Sequence, residues 1–94
     1  MLFERSELVI REGKEDEFAS MMAERGLPLL AALPAVHAAK LGRGVENPGK
    51  FMLLIHWDDM DAHQAFTKAE AYPRFRALLT PYVVSGSMEH FEID

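Results

Sequence analysis

The chain has 94 residues, 49% of them hydrophobic, no cysteine and a formal net charge of −5. This length makes a single domain, residues 1–94. The acidic balance, with no lysine or arginine cluster, excludes nucleic-acid binding by counterion release, and the lack of cysteine excludes disulfides and thiolate metal sites.

Residues 2–10 read as a strand, with Leu8, Val9 and Ile10 its strongest strand formers. The charges at Glu4, Arg5 and Glu7 leave no signal-peptide pattern. No stretch approaches the ~18 apolar residues of a membrane span, so the expected setting is the cytoplasm, with no membrane partner. "REGKEDE" turns the chain into a helix from Lys14 to about Leu33, where Phe18, Met21, Met22, Arg25, Leu29 and Leu33 recur at helical spacing. Glu15, Asp16 and Glu17 suit its first turn. Gly26 and Pro28 are expected to bend or interrupt it, and Pro34 to end it. "VHAAKLGRGV" is a second strand, "ENPG" a turn and "KFMLLIHW" the clearest strand of the chain. Asp58 or Asp59 is a natural cap for a short helix from about Met60 to Thr67. A further helix fits "EAYPRFRALL", with Pro73 near its start, and "SMEHFEI" is the last strand. The order β-α-β-β-α-β, with the second helix split in two, predicts an α+β ferredoxin-like plait: one antiparallel sheet with helices on one face.

"KFMLLIHW" is apolar on both faces. Phe51, Leu53, Ile55 and Trp57 share one face, and Met52, Leu54 and His56 the other. The helices of a plait cover one face only, and an antiparallel sheet with a wet face alternates apolar and polar residues. The apolar outer face, with a hydrophobic content generous for so small a domain, predicts a homodimer packed sheet to sheet.

"IHWDDMDAHQAF" concentrates histidine, aspartate and tryptophan. A metal site made of His56, His63 and aspartates is disfavoured, because His56 and Trp57 lie on opposite strand faces and no ligand motif is present. A purely structural reading makes Trp57 a core residue, Asp58 and Asp59 caps, His63 a satisfied histidine and Arg76 part of a solvated helix face. A pocket reading combines them. Trp57 faces the helices, His63 follows on one short helix and Arg76 lies on the next. Phe51, Phe66, Tyr72 and Phe75 then supply aromatic walls of the kind small-molecule sites use. Arg76 on such a wall needs an anionic partner.

"LLIHWDDMDAHQAFTKAEAYPRFRALL", "MEHFEI" and "LPAVHAAKLGR" together resemble the antibiotic biosynthesis monooxygenase family over nearly the whole chain. The resemblance implies a dimeric α+β barrel. It implies a cofactor-independent monooxygenase acting with molecular oxygen on a small phenol or hydroquinone. Members that oxidise polyketide phenols carry a tryptophan where Trp57 stands and an arginine where Arg76 stands. They carry a tyrosine in place of His63 and an asparagine in place of Leu53. Haem-degrading relatives need a tryptophan at Phe66 and a histidine at Arg76, so haem degradation is not expected.

The mechanism expected without metal or flavin starts from an ionised, electron-rich ring that gives electrons to oxygen. His63 is the candidate base, since imidazole titrates near operating pH. Arg76 would hold the anion. Trp57, Phe66 and Tyr72 would stack on the ring, with Phe51, Leu53 and Phe75 completing the substrate site. His37, His56 and His90 are the alternative bases, with His56 expected at the sheet interface. A non-catalytic dimer that binds a small aromatic ligand and a dimerising domain with a vestigial pocket are the other function classes.

Overall fold

The alternation in "LFERSELVI" is realised without a break. Leu2, Glu4, Ser6, Leu8 and Ile10 are buried and the residues between them half-buried. This is strand β1 (Leu2–Ile10), in a computed structural model that describes all residues from Met1 to Asp94. It is followed by helices α1 (Glu15–Met21) and α2 (Leu27–Ala31), strands β2 (Val36–Arg43) and β3 (Lys50–Trp57), helices α3 (Met60–Thr67) and α4 (Ala71–Leu79), and strand β4 (Val83–Glu92). The four strands form one antiparallel sheet in the order β2-β3-β1-β4, the expected α+β plait.

β1 and β3 are the two central strands. Their pairing sets Leu2 opposite Trp57, Ser6 opposite Leu53 and Leu8 opposite Phe51. Directly paired residues share a face, so these side chains make one floor beneath the helices. Phe18, Met22 and Leu30 press onto it with no residual exposure. Phe18 meets Phe51 edge-on, with ring centroids 5.0 Å apart.

The interruption expected at Gly26 and Pro28 is a π-helical turn, Met22–Gly26, inserted between α1 and α2. The rod is not broken there. Pro28 falls in the first turn of α2, directly after this π turn. β2 stops at Arg43, short of the expected Val45. Gly44 opens the turn instead, its N–H donating to the Lys50 carbonyl at 2.7 Å. A Cβ at this position would lie 2.3 Å from the Asn47 carbonyl oxygen, so the turn admits only glycine without rearrangement.

β4 begins at Val83 rather than Ser87. Ser85 and Gly86 are poor strand formers alone, but the ladder to β1 pairs them with Val9 and Leu8, and tertiary pairing overrides propensity. Of the two candidate caps, Asp59 takes the role, its carboxylate accepting from the Ala62 N–H at 2.8 Å. Asp58 instead pairs with His37.

No helix covers the other side of the sheet. Met52 and Phe91 are exposed there, with Phe3, Leu54 and His56 half-buried. His56 stacks between Phe3 and His37. The face is less uniformly apolar than β3 alone suggests, because β1 contributes Arg5, which bridges Glu7 and Glu89. No helix is long and apolar enough to cross a membrane.

Candidate active site

Between the sheet, α3 and α4 lies a cavity of about 530 Å³. Leu53, Phe66, Tyr72 and Phe75 line it, as do His63 and Arg76. The cap at Asp59 starts α3 so that His63 and Phe66, one turn apart, both turn inward and are buried. In α4, Ala71 and Phe75 are the buried pair. Arg76, next along, is exposed on the cavity edge and joins none of the chain's ion pairs.

Two residues expected in the pocket stand elsewhere. Phe51 lies under Phe18, with the Arg43 guanidinium over its ring, away from the cavity lining. Trp57 is 1% exposed and sits behind the wall, edge-on to His63 and tilted against Phe66. Its indole N–H donates to Oε1 of Glu4 at 3.0 Å.

Glu4 is the centre of the polar end. The carboxylate is almost wholly buried, at 4% exposure, a position glutamate rarely occupies without partners. Oε2 accepts from the Ser6 hydroxyl at 2.8 Å. Oε1, besides the indole, faces His63 Nδ1 at 3.2 Å and His90 Nε2 at 3.8 Å. Both ring nitrogens are buried, and neither is aligned for a hydrogen bond. Burial holds His63 below the usual histidine range, against the attraction of the Glu4 carboxylate, and repulsion from His90 acts in the same direction as burial. A desolvated imidazole loses its charged form first, so His63 is a neutral ring able to take up a proton.

Register builds this cluster. Glu4 pairs with Ile55 on one side and His90 on the other, so all three side chains point to the helix side, where α3 lowers His63 onto them. Glu4 and Ser6 lie outside the motifs around Trp57. A signal was present nonetheless, for both occupy the inward phase of β1, between Leu2 and Leu8. Polar residues at core positions break the binary pattern, and such breaks gather at functional sites.

The sequence model of the antibiotic biosynthesis monooxygenase family matches residues 1–78. The chain belongs to this family. Among solved structures, a candidate antibiotic biosynthesis monooxygenase from Bordetella bronchiseptica superposes with a TM-score of 0.90 at 21% identity, covering 99% of this chain and 96% of that one. A second candidate member, from Nitrosomonas europaea, gives 0.82 at 11% identity over 99% and 98% of the two chains. SnoaB of Streptomyces nogalater, a cofactor-independent oxygenase, gives 0.83 at 17% identity over 98% and 91%. At these identities the likeness is one of fold. No curated protein matches the sequence. Family membership supports a monooxygenase-like function for this chain.

Proposed function

We propose that this chain is a cofactor-independent monooxygenase that oxidises a small phenol or hydroquinone bound between the sheet and the split helix. One observation carries the reading. His63, neutral and buried, opens onto an apolar cavity with a buried carboxylate behind its Nδ1. The Glu4 carboxylate, 3.2 Å from Nδ1 though not aligned with it for a hydrogen bond, draws the ring proton to that nitrogen by charge. With Nδ1–H toward Glu4, the Nε2 lone pair is free to accept the phenolic proton. The resulting imidazolium gains the nearby carboxylate as counter-charge, which favours the transfer.

The ionised ring then supplies all the electrons. One oxygen atom of O₂ replaces a ring C–H hydrogen to give a quinone, and the other leaves as water, taking that hydrogen and the phenolic proton first accepted by His63. Arg76, free of ion pairs at the cavity edge, stabilises the oxyanion. Phe66, Tyr72, Phe75 and Leu53 supply the apolar wall against which the ring packs. Trp57 acts through Glu4 as a positioning residue, since its indole N–H fixes the carboxylate that orients His63.

The test is oxygen uptake by the chelator-treated protein against a panel of hydroquinones. Saturable uptake with quinone formation is expected. Ligand binding, followed by Trp57 fluorescence, with no uptake for any ring would replace this reading with that of an aromatic-ligand binding dimer.

The working form we propose is a homodimer joined through the helix-free sheet face. Leu54 sits centrally on that face, opposite Arg5 and Lys40, beside exposed Met52. Leu54→Asp is expected to give a monomer by sedimentation at micromolar concentration, because an unpaired carboxylate cannot be buried there without large penalty. An unchanged dimer would move the interface to another surface.

A further inference from the structure

Glu4, His63 and His90 come from β1, α3 and β4, and their ligand-type atoms lie within 4.8 Å of one another. We propose that these three residues form a binding site for a divalent first-row transition-metal ion. The oxygen-to-nitrogen separations are 3.2 Å to His63 Nδ1 and 3.8 Å to His90 Nε2. An ion with bonds of about 2.0–2.2 Å in tetrahedral arrangement sets its donor atoms roughly 3.3–3.6 Å apart. The two carboxylate-to-imidazole separations thus lie within a few tenths of an ångström of those an ion sets, and the third pair lies within 4.8 Å.

The two ring nitrogens point to the same conclusion. His63 Nδ1 and His90 Nε2 are buried without a hydrogen-bond partner, although both face Glu4 Oε1. Buried polar atoms of this kind call for a ligand. A pair of imidazoles sharing one carboxylate leaves at least one ring without a well-directed bond, whereas a cation between them engages all three. The carboxylate is already held for the task. The Trp57 indole N–H and the Ser6 hydroxyl occupy one bond to each of its oxygens, the outer-shell support that fixes metal ligands in orientation.

The donor set defines the class of ion. Two imidazole nitrogens and one carboxylate oxygen suit Zn²⁺ or Fe²⁺, and are poor for Mg²⁺ or Ca²⁺, which take oxygen ligands. Three protein ligands leave coordination positions open. Glu4 and His63 both line the cavity, so those positions face the place where an aromatic substrate would lie.

Loading the site changes His63. A metal on Nδ1 leaves the remaining proton on Nε2, so the ring can no longer accept one. This consequence rests on the proposed base role of His63; the site itself does not. The ion is thus an inhibitor of metal-free turnover.

The full-length protein, stripped with chelator, is titrated with Co²⁺. Visible d–d absorption saturating at one ion per chain, displaced by Zn²⁺, is expected. Glu4→Gln and His90→Ala should each weaken binding at least ~100-fold, beyond the loss typical of outer-shell changes. His37→Ala, at the exposed pair with Asp58, should leave binding unchanged. His90→Gln and Glu4→Asp back up the two variants, with circular dichroism confirming the fold of each. No saturable absorption, or absorption that survives Glu4→Gln and disappears in His37→Ala, means an adventitious ion only and overturns the site. In the same samples, oxygen uptake with a hydroquinone should fall on loading and return with chelator. Uptake that rises on loading keeps the metal site and overturns metal-free turnover. A protein inactive in every state leaves the site to be decided by the Co²⁺ spectra, which need no turnover.

Discussion

Oxygen uptake with a hydroquinone substrate falls at least ~100-fold when His63 is replaced by alanine, the lower end of what a positioned general base contributes. That factor corresponds to about 2.7 kcal/mol of barrier. The argument is local. His63 is edge-on to Trp57, 3.2 Å from the Glu4 carboxylate and kept neutral by burial. Without it, the cavity wall offers no second imidazole to take the phenolic proton in its stead. The defect belongs in kcat rather than in substrate affinity, because Leu53, Phe66, Tyr72 and Phe75 still enclose the ring. Substrate binding measured by Trp57 fluorescence should therefore change by less than tenfold. Free imidazole, small enough for a cavity of about 530 Å³, should restore part of the rate. Wild-type turnover by the alanine variant would remove His63 from the base role.

Replacing Phe18 with alanine lowers stability by about 3–5 kcal/mol, the range for deleting a fully buried phenylalanine. Phe18 has no exposed surface. It joins α1 to the sheet through Phe51, and Tyr82 closes over it at 5.8 Å between centroids. The backbone of the helix rod cannot sink far enough to refill the space, so transfer and cavity contributions add. Against the ~5–15 kcal/mol that holds a domain of this kind together, the loss is a large fraction. It should appear as a fall in Tm of roughly 15–30 °C at this chain length. Phe18 lies away from the cavity lining, so the folded fraction at low temperature should keep its turnover. A loss below about 1 kcal/mol would show that the rod is held elsewhere. Phe18→Leu, a smaller cut, should fall between the two and is measurable if the alanine variant does not fold.

The elements of the chain follow from local patterns. "KFMLLIHW" alternates strongly enough to place Phe51, Leu53, Ile55 and Trp57 on the covered face and Met52, Leu54 and His56 on the other, as observed. Phe18, Met21 and Met22 follow helical spacing and are buried, and an aspartate before Met60 caps the helix that carries His63. Where local signals are weak, the expectations drift. Ser85 and Gly86 join β4 only because β1 is there to pair with them. Gly26 and Pro28 give a π turn, because the packing of Met22 and Leu30 keeps the rod together across them.

Period and capping thus determined the plait, the two faces of its sheet and the placement of His63, Phe66 and Phe75, since each depends on residues close in sequence. The polar heart of the cavity depended on distant ones. Nothing near Glu4 in the sequence says that it will meet His63 and His90, or that the Trp57 indole will bind its carboxylate. Those contacts arise from the β1–β4 register, the β1–β3 register and the docking of α3, and all three must be in place before the groups share one space. Trp57 illustrates the division: its face was legible from the pleat of β3, while its partner was decided only when the central strands came together.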